Sequence, residues 1–222
     1  MKRLMLSMCG LGLAALVLSG CPKKQDTASD NGTNTSDKPP FSMHRVGVPK
    51  YDNYFRRVYN LRYKLWKADR DMARTPATLH SVMGLPGNIK GASITDMLKV
   101  AASKFGNKLL LKGGRVGLQP GISDPKAAKV AQTVDNVLTT SKSLPKNLGG
   151  SVDESKNLIT QGQRLTKTVK NDFTGFNAVK IPSVTAKLTE STKELAKVPG
   201  QVAKLGKTSL GVAKAIPGLF KK

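Results

Sequence analysis

The chain has 222 residues, with 37 lysines and arginines against 14 aspartates and glutamates, two histidines and two cysteines, for a net charge of +23. That excess predicts attraction to polyanions, and so few histidines, cysteines and acids leave little material for nucleophilic, acid–base or metal chemistry. The length suffices for one modest domain, but the abundance of Ser, Thr, Lys and Gly limits the core it can bury.

Lys2 and Arg3 form a positive start, and Leu4 to Leu18 form an apolar run too short to span a bilayer comfortably. Small residues follow, and Leu18-Ser19-Gly20-Cys21 closes the run. This stretch resembles the lipobox of bacterial lipoprotein precursors. The resemblance covers the first 21 residues only. It implies cleavage before Cys21, acylation (palmitate among the chains) of that cysteine, and attachment to a membrane. It also implies sorting: lipoproteins with Asp after the cysteine tend to stay in the inner membrane, whereas Pro22 stands here. The outer membrane, facing the periplasm or the cell surface, is therefore expected in a Gram-negative cell. Cys9 would be lost with the signal peptide, so no internal disulfide is expected, and acylation would remove the one remaining thiol. Loss of Lys2 and Arg3 leaves +21. Export directs that charge toward anionic lipid, lipopolysaccharide or a cell-wall polymer, or toward an envelope protein, and away from nucleic acid.

Pro22 to Pro40 lacks large apolar residues, and its three lysines balance its three aspartates. It reads as a disordered tether. Phe41 to Thr75 holds seven of the eleven aromatic residues. Tyr54, Val58, Leu61, Leu65, Ala68 and Met72 recur at helical spacing, between Pro49 and Thr75-Pro76. Beside them lie Arg56, Arg57, Arg62 and Trp66. One reading is an aromatic and arginine surface for stacking on sugars, bases or lipid interfaces. The other is a core helix whose arginines face water, and the periodicity favours it. From Pro76 to Ala92 the glycines and prolines predict a short helical turn, then loop. His44 and His80 lack partners at metal spacing, so boundary or surface positions are expected.

Ser93-Ile94-Thr95-Asp96 predicts a capping box opening a helix to Phe105. Two apolar runs around Gly113-Gly114 predict a β-hairpin near 108–119; no Gly-Lys-Ser/Thr follows the glycines, so a phosphate loop is excluded. Asp124-Pro125 predicts the start of a helix with Ala127, Val130, Val134, Leu138, Ser141 and Leu144 on one face, ending near Pro145. A second capping box at Ser151 and Glu154 predicts another helix with Leu158, Gly162, Leu165 and Val169 inward. The short connection suggests that the two fold back as an antiparallel hairpin. Ser141 and Gly162 make its seam thin.

Lys180-Ile181-Pro182 recurs seventeen residues later as Lys197-Val198-Pro199, and a truncated third copy contains Ile216-Pro217. Proline at this interval predicts short helical segments, each opening at its proline. Nine lysines and two glutamates from Lys180 onward make the series basic and amphipathic, with Lys187, Lys197, Lys204, Lys214 and Lys222 as the candidate contacts. The apolar stripe would pack as core or lie on an anionic membrane. Terminal Lys222 is also similar to the last residue of the small helical murein lipoprotein, which is joined to peptidoglycan.

The expected fold is mainly α: a disordered tether, then a helical hairpin or small bundle with one short β-hairpin. The expected organisation is signal peptide 1–20, lipidated tether 21–40, aromatic and basic segment 41–122, helical hairpin 123–178 and basic repeats 179–222. No catalytic set, cofactor or metal site is expected. The function expected is a non-enzymatic, lipid-anchored envelope protein that presents a basic helical surface to a partner. Membrane-surface or cell-wall tethering through the C-terminal repeats is the alternative.

Overall fold

Among the described residues, buried positions three and four apart recur along most of the sequence, and these residues form six helices and one β-hairpin. The computed structural model describes residues 38–87, 89 and 91–220, so the lipobox with Cys21, the tether to residue 37 and Lys222 lie outside the described residues. In order come α1 (Pro49–Met83), α2 (Ile94–Phe105), β1 (Leu109–Lys112), β2 (Arg115–Leu118), α3 (Pro125–Leu148), α4 (Ser151–Asp172), a 3₁₀ turn (Gly175–Lys180), α5 (Ile181–Ala196) and α6 (Val198–Phe220).

Helix α1 opens with Pro49 in its first turn, and Asp52 accepts the Val46 and Gly47 N–H groups at 2.7 and 3.2 Å, which turns the incoming segment back along the helix. The expected end at Thr75-Pro76 is corrected: the helix continues to Met83 with Pro76 inside it. A proline within a helix loses one backbone bond and strains the preceding turn. Here its ring is itself buried, and Met72, Pro76, Leu79 and Met83 keep the apolar stripe in phase across it. The helix ends where Gly84 takes φ +58°, with the Gly84 and Leu85 N–H groups donating to Ser81 and His80 carbonyls. That left-handed cap suits glycine.

The predicted capping box of α2 is present, with Ser93 Oγ accepting from the Asp96 N–H at 3.1 Å and Asp96 accepting from the Ser93 N–H at 3.2 Å. The predicted β-hairpin is present too, Lys112 pairing with Arg115 across Gly113 and Gly114. Both glycines have positive φ, as a type I′ turn requires. The hairpin is held on α3 by Asp135, 5% exposed, which accepts from Arg115 Nε at 2.7 Å and from the Val116 N–H at 2.9 Å. The guanidinium and the backbone donor hold the Asp135 carboxyl below its ordinary pKa, against the opposing effect of burial.

The C-terminal half departs from the expected pairing. Asp124 caps α3 through the Lys126 and Ala127 N–H groups as predicted, but α3 runs through Pro145 to Leu148. It does not fold back on α4: α3 packs mainly against α6, and α4 against α5. Gly149 and Gly150 keep right-handed φ,ψ values of −53°,−43° and −77°,−6° between the two helices. Leu144, Leu148, Ser151, Ser155 and Leu158 carry the buried stripe through the joint in step. The second capping box is also corrected: Ser151 lies within α4, buried, and Gly150 precedes it without a side-chain cap.

Reversal comes at the 3₁₀ turn, after which α5 and α6 return along α4 and α3. Both open at their repeat prolines, Pro182 and Pro199, as the repeat predicts. Pro217 is corrected to a position inside α6. Only Lys197 separates α5 from α6, at right-handed φ −81° and ψ −17°, and Leu195, Val198 and Leu205 stay on one buried face across it. Helix α1 packs against all four of these helices. The apolar stripe of the repeats is therefore core, which leaves their lysines, and not an apolar face, at the surface. No described helix is long and apolar enough to cross a membrane.

Candidate functional site

The aromatic-basic helix divides its aromatic side chains between two jobs. Tyr51, Tyr54 and Phe55 are at most 2% exposed and belong to the core. Further along, Tyr59, Tyr63 and Trp66 recur four and three residues apart on a partly open face. Their rings lie in sequence: Tyr59 and Tyr63 stack with centroids 6.0 Å apart, and Tyr63 and Trp66 tilt together at 5.5 Å. Phe41, from the segment that runs back along α1, extends this ladder edge-on to Tyr59 at 5.8 Å. Two guanidinium groups stack on it, Arg62 over Phe41 at 4.2 Å and Arg70 over Trp66 at 4.7 Å. The core reading therefore holds for part of this helix, and Tyr59, Tyr63 and Trp66 are partly open to solvent.

The ladder borders a cleft of about 330 Å³ between the Pro40-Phe41 segment, α1 and the α5–α6 joint. Arg62, Trp66 and Asp69 form one wall, and Glu194, Gln201 and Lys204 form the other. Arg62 crosses the cleft to Glu194 at 3.3 Å, and Glu194 in turn receives Lys197 Nζ at 2.6 Å. The lining thus alternates aromatic faces, cationic donors and carboxylate or amide acceptors. Such a mixture suits a polar ligand with flat apolar faces, held by stacking and hydrogen bonds.

Of the predicted surface residues, Arg62, Trp66 and Lys204 meet at this cleft, and Lys197 reaches its edge through Glu194. The others lie elsewhere. Arg56 is exposed and donates to Asn53 Oδ1 at 2.7 Å. Arg57 reaches across to α4, donating to Gln161 at 3.3 Å with Glu154 at 3.9 Å. Lys187 stands close enough to His44 to help depress its pKa, and Lys214 is exposed on α6. Lys222 and Cys21 lie outside the described residues.

Five contributors escaped the sequence reading: Phe41, Tyr63, Asp69, Glu194 and Gln201. Phe41 follows Pro39-Pro40 with no periodic neighbours to mark it, and Glu194 reaches Arg62 from 132 residues away. The signal that was present is Tyr63, which completes the Tyr59 and Trp66 spacing. His44 sits half-buried, edge-on to Phe55 at 5.4 Å. Burial lowers its pKa, and Glu190 only partly counters this. Among the described residues no group of three potential ligands could hold a metal ion.

Comparison of the chain with protein-family models, curated proteins and solved structures gave no match.

Proposed function

We propose that the protein is a lipid-anchored, non-enzymatic component of the bacterial envelope that binds an anionic cell-wall glycan along the α1 face. The observation that carries this reading is the half-open ladder of Tyr59, Tyr63 and Trp66, with Arg62 and Arg70 stacked beside it, bordering a cleft with Lys204 on its far wall. Aromatic faces suit the apolar sides of sugar rings. The cations suit carboxylate or phosphate groups along a wall polymer, while Asp69, Glu194 and Gln201 offer acceptors for hydroxyls and amides. The cleft volume matches a sugar unit or two and lies at the small end of the usual range for ligand pockets. Lipid attachment at Cys21 would hold this face near its polymer and keep a strongly basic chain inside the envelope.

Two measurements test the proposal separately. Metabolic labelling with a palmitate analogue should mark the wild-type chain and not the Cys21→Ser variant; equal labelling removes the anchor. Co-sedimentation with purified peptidoglycan sacculi should weaken about tenfold for Trp66→Ala and with rising salt. Sedimentation that is indifferent to Trp66 and Arg62 removes the glycan site and leaves the anchor untouched. Membrane-surface or wall tethering through the repeats remains a second reading only in an electrostatic form, because the exposed lysines favour it and the apolar stripe is already packed.

A further inference from the structure

The 3₁₀ turn Gly175–Lys180 closes the far end of the helical hairpin, and none of its residues is buried. Phe176 is 101% exposed and Val179 81%, well beyond the other exposed large hydrophobics, Tyr63 and Leu210. Neither side chain contributes to the core, and an apolar tip in water is a liability unless something receives it. Yet the base beneath it is firm. Phe173 is 1% exposed and meets Tyr51 edge-on at 5.1 Å. The Tyr51 hydroxyl donates to Asp172 at 2.7 Å, and Lys50 pairs with the same carboxylate. The turn is thus presented from a packed platform.

Charge identifies the occupant. Asp172 is the one acid between Glu154 and Glu190 in the sequence, and it is already engaged by Lys50 and Tyr51. Lys170 and Lys180, both exposed, bracket the apolar residues. We infer that this tip is a contact finger for anionic lipid bilayers, with Phe176 and Val179 entering the interface and Lys170 and Lys180 meeting headgroup phosphates. Apolar side chains with lysines beside them match the layering of such an interface, hydrocarbon below and anionic groups above. Long lysine stems let the ammonium groups stay at headgroup level as the tip descends. The finger is an interfacial contact of two side chains and not a span. It is independent of the glycan-binding face, which lies along α1 and the α5–α6 joint.

The test uses the mature chain from residue 22 onward with Phe176→Trp in place, so that neither the apolar leader nor acylation at Cys21 plays a part. Tip fluorescence, taken as the difference from the same chain with Phe176, is read against vesicles with brominated acyl chains. One set is phosphatidylcholine and the other an equal mixture with phosphatidylglycerol. The expected result is a blue shift and bromine quenching on the anionic vesicles, with half-saturation at least about tenfold weaker on the neutral ones. Lys170→Glu with Lys180→Glu should abolish the response. Absence of quenching overturns the proposal, as does equal quenching on both vesicles. A shift produced only by solubilised envelope protein also overturns it and assigns the tip to a protein groove. Because no arm is acylated, a failed tip leaves the lipobox reading where it stood.

Discussion

Gly162 offers the sharpest test of how the hairpin packs on α1. In an open helix interior, replacing glycine by alanine stabilises by about 1 kcal/mol, since alanine loses less backbone entropy. At Gly162 an added β-carbon would lie 2.5 Å from Tyr54 Oη, 3.0 Å from Tyr54 Cζ and 3.1 Å from Thr192 Oγ1. Tyr54 is 0% exposed, so its ring has little room to retreat. Overpacking of a filled site costs about 1–3 kcal/mol, and a contact this short belongs at the upper end. Once the propensity gain is deducted, Gly162→Ala should destabilise by about 1–2 kcal/mol, measured by urea unfolding followed by circular dichroism. Gly206, with nothing within 4 Å of its added carbon, supplies the control: Gly206→Ala should stabilise by about 0.5–1 kcal/mol. Tyr54→Phe in the Gly162→Ala background should recover much of the loss, a coupling that a double-mutant cycle reads directly. A Gly162→Ala chain as stable as wild type would refute the reasoning, and with it the account of why the seam carries glycine.

Other outcomes follow from the ion pairs and hydroxyls. Asp135→Ala leaves the Val116 N–H without its acceptor and should cost about 1–3 kcal/mol; hydrogen exchange should accelerate in β1 and β2 while α4 and α5 keep their protection. The Asp124 carboxyl is held down to about 2 by Lys108 and by the helix N–H groups it caps. Its contribution is therefore present above the ordinary carboxylate pKa and lost as pH falls from about 4 toward 2. Asp124→Asn, which retains a good N-cap, should flatten that acid limb in a series of unfolding midpoints. Tyr51 behaves oppositely: burial and the Asp172 bond push its hydroxyl up to about 12. Its contribution is present below pH 10 and lost between pH 10 and 12, so Tyr51→Phe should flatten the alkaline limb.

Where a local rule was sufficient, the sequence could be read directly. Ser93 with Asp96, Gly113 with Gly114, and Asp124 with Pro125 each specify a short-range geometry, and each geometry is present. Proline was the point of failure. Pro76, Pro145 and Pro217 all lie inside helices, although each costs a backbone bond. Continuation is marked by the stripe beyond the proline, such as Leu79 and Met83 after Pro76, and tertiary burial of that stripe outweighs the local penalty. The partner of each helix was not legible. The break from Pro145 to Gly150 reads as a short connection that folds back, whereas α3 packs on α6 and α4 on α5, a pairing decided by contacts far apart in the sequence. Gly162 reads as thinning a seam between α3 and α4 that does not form; it faces the Tyr54 ring of α1 and Thr192 of α5 instead. At the candidate site the aromatic spacing was readable; the cleft, whose walls lie more than a hundred residues apart, was not.

The two helical joints have a mechanical consequence. Gly162 faces Thr192 across the hairpin, so continuing the antiparallel count sets Lys197 opposite residue 157 and Gly149-Gly150 opposite residues 204 and 205. The weak points of the two arms are therefore offset by about eight residues, roughly 12 Å along the axis. Each is splinted by unbroken helix on the other arm, as overlapping courses in brickwork stop a crack from running through. From Pro125 to Asp172 one arm reaches about 70 Å at helical rise. Because the two interruptions are offset, each joint lies beside unbroken helix of the other arm.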